Sequence, residues 1–355
     1  MYRILSINPG STSTKIAIFD DEKEVFSKTL RHPEEVVNQY KSILDQIPFR
    51  KQIILDALSE SDINIQKLSA VVGRGGLVKP IPGGTYEVND ALLRDVKNSP
   101  MGEHASNMGA ILAHEIANSL NLKSYIVDPV VVDEMEDVAR ISGHPEIERV
   151  SIFHALNQKA VGHRFANEMG KRYDELNLVI AHLGGGISVG AHRQGRCIDV
   201  NNALNGDGPF SPERSGGLPV GALAKLCFSG KYSEAEVKKM ITGRGGFVSY
   251  LATNDGREVS ERIEKGDEKA KLIHQALSYQ VGKEIGMCAA VLHGQVDAVI
   301  LTGGLAYDQT LVDQMKEMVS FIGPVIVYPG EDEMLALNEG ALRILRGEEE
   351  AKIYE

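Results

Sequence analysis

Ile4-Leu5-Ser6-Ile7-Asn8-Pro9-Gly10-Ser11-Thr12-Ser13-Thr14-Lys15-Ile16-Ala17-Ile18-Phe19-Asp20 is the stretch on which the reading of this chain turns. Its two apolar runs, 4–7 and 16–19, flank a polar turn, and apolar runs bounded by turn residues predict a hairpin. Pro9-Gly10 lets the backbone bend tightly, so that successive N–H groups converge on one anion. Ser11, Thr12 and Ser13 add hydroxyl donors, Lys15 adds charge, and Asn8 suits the water shell of a metal. Taken alone, such a turn reads more readily as a solvated polar hairpin. A second stretch of the same design reverses that reading.

That stretch is Leu178-Val179-Ile180-Ala181-His182-Leu183-Gly184-Gly185-Gly186-Ile187-Ser188-Val189-Gly190-Ala191-His192. Gly184, Gly185 and Gly186 remove side chains where a phosphate would approach the backbone. Each stretch runs on toward a further strand and an aspartate, Asp20-Asp21 in the first and Asp199 in the second. A third glycine pair, Gly303-Gly304, follows the apolar run 298–301 and precedes a helix-like segment. Strand, phosphate hairpin, strand, then the same again, then strand–Gly-Gly–helix, predicts an α/β chain of two ribonuclease-H-like domains. These are of the actin, sugar kinase and Hsp70 type, with a nucleotide cleft between them.

At 355 residues the chain exceeds one ordinary core, so two domains are expected. The reading places 1–149 plus 331–355 in the first and 150–330 in the second. A formal net charge of −11 argues against a nucleic-acid surface. Cys197, Cys227 and Cys288 are widely spaced and predict neither zinc site nor disulfide framework, which fits a reducing cytosol. No signal peptide is read at Met1-Tyr2-Arg3 and no apolar run predicts a membrane helix, so a cytoplasmic location is expected.

Along the chain, 33–57 reads as a helix broken at Pro48, and 70–72 as a short strand running into Gly73-Arg74-Gly75-Gly76. Helices are predicted over 90–98 and 106–120, with a strand at 124–127 ending in Asp128-Pro129. The acidic run 133–139 is expected to be exposed, and a domain boundary is placed near 142–145. Helices follow at 153–169, 219–228 and 267–292, with a capping box of Ser233 and Glu236. A last strand at 323–328 precedes a helix over 335–346 that is expected to return to the first domain.

Arg74 and Arg214 both sit among glycines, where an arginine has little packing role and can hold a carboxylate or phosphate bidentately. Gly243-Arg244-Gly245-Gly246 repeats the pattern of Arg74, but Arg244 follows a helix and reads as surface. His182 precedes the glycine triplet and is placed to touch a transferring phosphoryl group, and His154 to hydrogen-bond a ligand. Asp128 follows a strand end, where α/β proteins place ligands. Glu331-Asp332-Glu333 sets three carboxylates at a helix N-terminus, where an acidic first turn is itself favourable.

The run 7–15 resembles the opening signature of the acetate and butyrate kinases. Ile152-Phe153-His154 with His182-Leu183-Gly184-Gly185-Gly186 resembles their paired histidine motifs. The loop 201–217, from Asn201-Asn202-Ala203 to Arg214-Ser215-Gly216-Gly217, looks like the butyrate branch, as does the short Val72-Gly73-Arg74-Gly75-Gly76. The resemblance covers nearly the whole chain in order. It implies that Arg74 and Arg214 bind carboxylate and γ-phosphoryl, that His182 stabilises the transition state and that His154 supports it. Asp128 would be the cleft aspartate, and His104 a further cleft histidine. Asn8, Ser11, Ser13 and Lys15 would form the first phosphate loop, with Gly184, Gly185, Gly186, Gly303 and Gly304 as further nucleotide contacts. One acid of 331–333 would bind Mg²⁺, with Glu331 and Glu333 preferred and Asn8 beside the metal.

The expectation is thus an enzyme interconverting ATP plus butyrate, or a branched short-chain carboxylate, with ADP plus an acyl phosphate. Mg²⁺ accompanies the nucleotide, and the partners are ATP and the carboxylate, without nucleic acid or membrane. A homo-oligomer, dimer or higher, is expected. Val78, Pro209 and Phe210 are candidates to line an acyl pocket. The alternatives are an acetate or propionate kinase and, outside enzymes, an actin-like nucleotide-gated assembly protein. The two arginines speak against the last, since a filament needs no carboxylate clamp.

Overall fold

The computed structural model describes residues 1–100, 102 and 104–355. They divide into two compact units, Met1–Val132 with Asp332–Glu355, and Asp133–Glu331. In the first, the quoted stretch forms the antiparallel pair β1 (Arg3–Pro9) and β2 (Ser13–Asp20), continued by β3 (Lys23–Arg31). Two parallel strands then join β1's other side, β4 (Ala70–Arg74) and beyond it β6 (Ser124–Val127), and the edge is closed by the short antiparallel β5 (Thr85–Glu87). The order is β3-β2-β1-β4-β6-β5.

The second unit repeats the plan. β7 (Asn177–Leu183), β8 (Ile187–Arg193) and β9 (Arg196–Val200) form the meander, and β10 (Ala298–Gly303) and β11 (Val325–Pro329) add in parallel. Its order, read from the meander edge, is β9-β8-β7-β10-β11. Without β5 the two sheets match strand for strand and sense for sense. This is the duplicated ribonuclease-H-like fold expected from the sequence.

The second sheet is covered on both faces, which is why β7 and β10 are near-continuous apolar runs. Val179 and Ala181 face the core under the helix Glu268–Val291, whose Leu277, Val281 and Ile285 are fully buried. Leu178 and Ile180 face the opposite layer, with Phe165 of the helix Ala155–Glu168. In the first unit the helix Asn107–Ser119 lies so close to β4 that a Cβ on Gly73 would overlap the Gly109 carbonyl, and one on Gly109 would overlap the Arg74 carbonyl. The terminal helix Glu333–Arg346 belongs to this unit, where Met334 packs on Ala17 and Phe19.

Several local expectations are corrected. The helix expected over 33–57 is instead two, Glu34–Val37 and Ile47–Ser59, interrupted before Pro48, which stands in the first turn of the second, where its missing N–H has no intrahelical partner to lose. The acidic run 133–139 is not simply exposed: Glu134 is buried against Lys159 at 2.9 Å, and Asp133 holds Arg140. These contacts lie within the second unit, as does Arg149 to Asp199 at 2.9 Å. Residues 133–149 accordingly belong to that unit. The strand β5 was not foreseen; at three residues it carries no usable periodicity. Among the described residues no helix is long and apolar enough to cross a membrane.

The Gly73–Gly109 contact generates a stability prediction. Gly73→Ala forces backbone apart in a packed layer, so it should destabilise by about 2–3 kcal/mol or more. A melting temperature lowered by roughly 5 °C or more is expected in calorimetry, and an unchanged value would show that strand and helix are not held this tightly.

Candidate functional site

The chemistry-bearing residues of the first unit gather at the carboxyl ends of β1, β4 and β6. In the hairpin, Pro9 pairs in register with Thr14, which leaves residues 10–13 as the turn. The Gly10 N–H closes it on the Ser13 carbonyl at 2.8 Å. Ser11 and Lys15 are exposed and Ser13 is half-buried. Beneath the turn lies Arg50, 1% exposed, which no motif suggested. Its guanidinium donates to the carbonyls of Gly10, Ser11 and Ser13 at 2.8, 2.7 and 2.9 Å. It also donates to Thr14 Oγ1 and Gln46 Oε1. The one available signal was spacing, since Arg50 falls on the stripe of Ile54, Ala57 and Leu58 that its helix buries. His32, buried beside it, shares a 2.9 Å hydrogen bond with Thr14 Oγ1.

Arg74 ends β4, and its Nη1 meets Glu333 Oε1 at 2.5 Å. The other oxygen of Glu333 accepts from Asn8 Nδ2, also at 2.5 Å, and Asn8 Oδ1 lies 3.5 Å from Arg74 Nη1. Two residues proposed for metal and one proposed for carboxylate therefore form a single cluster. Asp128 follows β6, whose Val127 pairs with Arg74. It is buried and left-handed (φ 37°), and Gly84 both donates to its carboxylate at 2.6 Å and accepts from its N–H. His104 shares a hydrogen bond with Ser106 Oγ at 2.8 Å. Desolvation and then the Arg74 charge hold its pKa below the ordinary histidine value.

In the second unit His182 lies at the end of β7, 1% exposed. Its Nδ1–H donates to Asn157 Oδ1 at 2.7 Å, and Nε2 faces Glu331 Oε1 at 3.2 Å. His154 stacks on it face to face, centroids 3.7 Å apart and planes 10° from parallel. His154 Nδ1 is tied to Ser188 Oγ at 2.8 Å, and Gln158 donates to the same hydroxyl. The histidine pair read from sequence is thus one stacked unit, clamped from behind by Asn157, Ser188 and Gln158.

The glycine triplet gains a second explanation. A Cβ on Gly184 would crowd His182 Nε2 and Glu331, and one on Gly186 would overlap the Arg214 guanidinium; only Gly185 opens on free space. Arg214 therefore lies directly on the turn. Its Nη1 donates to the Ala203 carbonyl at 2.5 Å, its buried Nε has no partner, and it forms no ion pair among the described residues. Burial pulls its pKa below the usual arginine value, with Glu213 opposing. Arg244, the rival in the repeated motif, is exposed.

Gly184, Gly185, Gly304 and Glu331 line a cavity of about 750 Å³ within the second unit, together with Asp255 and Arg257. That volume falls in the range of small-molecule sites. Gly303 is left-handed (φ 92°) and exchanges backbone hydrogen bonds with Gly330. The three consecutive acids take three partners: Glu331 faces His182, Asp332 caps the terminal helix through the Leu335 N–H, and Glu333 holds Arg74 and Asn8. Val78 and Pro209 are buried, and Phe210 packs edge-on against Phe247 in the second unit's core.

Residues 146–327 match the model of the acetokinase family. The chain is 59% identical over 354 residues to butyrate kinase 1 of Clostridium acetobutylicum, covering 100% of both chains. To butyrate kinase 2 of the same organism it is 58% identical, covering 99% of both. The acetate kinase of Porphyromonas gingivalis has the same fold, with a TM-score of 0.78 over 97% of this chain and 100% of that one, at 20% identity.

His32 generates a pH prediction. Burial first, and then the charge of Arg50, pull its pKa down to about 4. The folded protein thus refuses a proton that the unfolded chain accepts below about pH 6.5. The stability from neutral His32 is complete above that pH and declines as pH falls from 6.5 toward 4. The melting temperature should therefore drop more between pH 7 and pH 5 in the wild type than in His32→Gln. Parallel pH profiles would contradict this.

Proposed function

The chain belongs to the acetokinase family, and on that premise we propose that it transfers the γ-phosphoryl group of ATP directly to a short-chain carboxylate, butyrate or a branched relative. The observation that carries the chemistry is Arg214, a partly buried guanidinium without a carboxylate partner among the described residues, seated on a glycine turn beside a clamped histidine. A cation so placed is a receptor for an anion.

A carboxylic acid of pKa about 4–5 is ionised at pH 7, so its attack on phosphorus needs no general base. The barrier is repulsion between anionic nucleophile and anionic phosphate, together with alignment. In the proposed step a carboxylate oxygen forms a bond to the γ-phosphorus as the bond to the ADP oxygen breaks. Arg214 and His182 Nε2 stabilise the charge that develops on the phosphoryl oxygens. Asn157, Ser188 and the stacked His154 keep His182 in register for that task. Arg74 is assigned the carboxylate substrate, in place of Glu333. The nucleoside is assigned to the cavity beside Gly304, and Asn8, Ser11, Ser13 and Lys15 to a phosphoryl contact.

Asn8 and Glu333 fit Mg²⁺, since one amide and one carboxylate offer hard oxygens of the kind this ion takes alongside phosphate ligands. Bound there, it would neutralise phosphate charge. Asp128 is assigned the orientation of Arg74 or of the metal's waters, and not the role of a base. A homo-oligomer and a cytoplasmic location complete the proposal. The former is supported by the apolar helix Val220–Cys227, which has no buried residue and ends at the exposed Phe228.

Two predictions follow from these assignments. Each methylene buried is worth about 0.8 kcal/mol, so butyrate gains roughly 1.6 kcal/mol, or about fifteenfold, over acetate. A hydroxamate assay over acetate, propionate, butyrate, isobutyrate and valerate should give the highest kcat/KM for butyrate or isobutyrate, with acetate at about a tenth or less. Acetate equal to butyrate would reject the substrate; no product from any acid would reject the reaction. Arg214→Ala should lower kcat on the order of 10³, roughly 4 kcal/mol, with an unchanged circular dichroism spectrum. Near wild-type turnover would remove Arg214 from the site, and an equal loss in Arg244→Ala would show that the wrong repeat was chosen.

A further inference from the structure

Arg50 is not explained by the fold. A buried guanidinium normally needs a carboxylate, because an unpaired buried charge is costly. Arg50 has none among the described residues. Its donors go instead to three carbonyls of the turn, to Thr14 Oγ1 and to the neutral Gln46 side chain. Burial lowers its pKa only to about 10, so it is a cation at neutral pH. His32, the titratable neighbour, is held neutral, which leaves Arg50 as the charge beneath the turn.

The direction of those bonds matters more than their number. In a trans peptide the C=O and the following N–H point in opposite directions. The carbonyls of Gly10 and Ser11 are drawn inward onto Arg50, so the N–H groups of Ser11 and Thr12 point outward. Neither N–H has a partner among the described residues. Ser11 and Thr12 are exposed, so these two donors face solvent. The result is a pair of free N–H groups, a hydroxyl-rich rim and a buried positive charge behind them, which is the composition of an anion-binding nest.

We infer that Arg50 is a positioning residue for phosphoryl binding, which orients the peptide planes of the turn Gly10–Ser13 and backs them with a charge that no carboxylate among the described residues cancels. The identity of the anion rests on the phosphotransfer proposed above; the orientation of the donors does not. Arg50 itself is shielded by the turn and touches no ligand.

The test compares Arg50→Gln and Arg50→Lys with the wild type by calorimetric binding of ATP and of AMP, alongside thermal melting. AMP lacks the terminal phosphates and so reports general damage to the nucleotide site. Arg50→Gln should weaken ATP by about ten- to hundredfold, the equivalent of losing one to two charge-assisted contacts, with AMP unchanged. Arg50→Lys keeps the charge but not the fork, and should recover part of the ATP affinity. It also carries the test should the glutamine variant fail to fold. Equal weakening of ATP and AMP, or unchanged ATP binding in a folded variant, would overturn the inference. If the wild type phosphorylates no carboxylate but Arg50→Gln still loses ATP selectively, the proposed reaction fails and the role of Arg50 stands.

Discussion

The carboxylates of Glu331, Asp332 and Glu333 are consecutive in sequence and yet satisfy three different demands. Glu331 faces His182 Nε2, Asp332 caps the terminal helix, and Glu333 neutralises Arg74 while accepting from Asn8. The left-handed Gly330 (φ 87°) before them, and the start of a helix after them, fix where each side chain goes. Without Glu333, Arg74 would lose its counter-charge; without Glu331, Nε2 of His182 would lose its carboxylate neighbour at 3.2 Å.

Duplication explains why the chemistry recurs. Each sheet places a hairpin next to two parallel strands, and the carboxyl ends of such strands are where backbone N–H groups and short loops are left for ligands. Arg74 ends β4, Asp128 follows β6, His182 ends β7 and Gly303 ends β10. The two turns differ in how they are backed. The first hairpin turn is backed by a buried cation, and the second by an arginine lying directly on its glycines. The close packing of helix 107–119 on β4 through Gly73 and Gly109 holds the strand end that presents Arg74.

Most of the fold was legible because its signals are local. Apolar runs meeting glycine turns gave both hairpins, and the helices at 90–98 and 267–292 stand within a residue of their expected ends. The strand β5 and the pairing of Glu134 with Lys159 were not legible, since both depend on partners distant in sequence. Among candidate site residues, motif spacing singled out Arg74, Arg214, His154 and His182. It could not assign the three acids at 331–333, whose partners are decided by backbone geometry. It passed over Arg50 because an arginine on a helix carries no mark of burial; only its place on the apolar stripe hinted at one. Phe210, a candidate for the acyl pocket, packs edge-on against Phe247 in the second unit's core, a contact between residues distant in sequence.

The central claim is bond formation between a carboxylate oxygen and the phosphorus that leaves ATP as its γ-phosphoryl group, and the fate of that oxygen tests it. Butyrate labelled with ¹⁸O in its carboxylate should be incubated with ATP and Mg²⁺ and the products followed by ³¹P nuclear magnetic resonance. The account predicts ADP and an acyl phosphate whose phosphorus signal carries the isotope shift of a bridging ¹⁸O. Formation of pyrophosphate and an acyl adenylate, which marks attack at the α-phosphorus, or an acyl phosphate without the shift would contradict it.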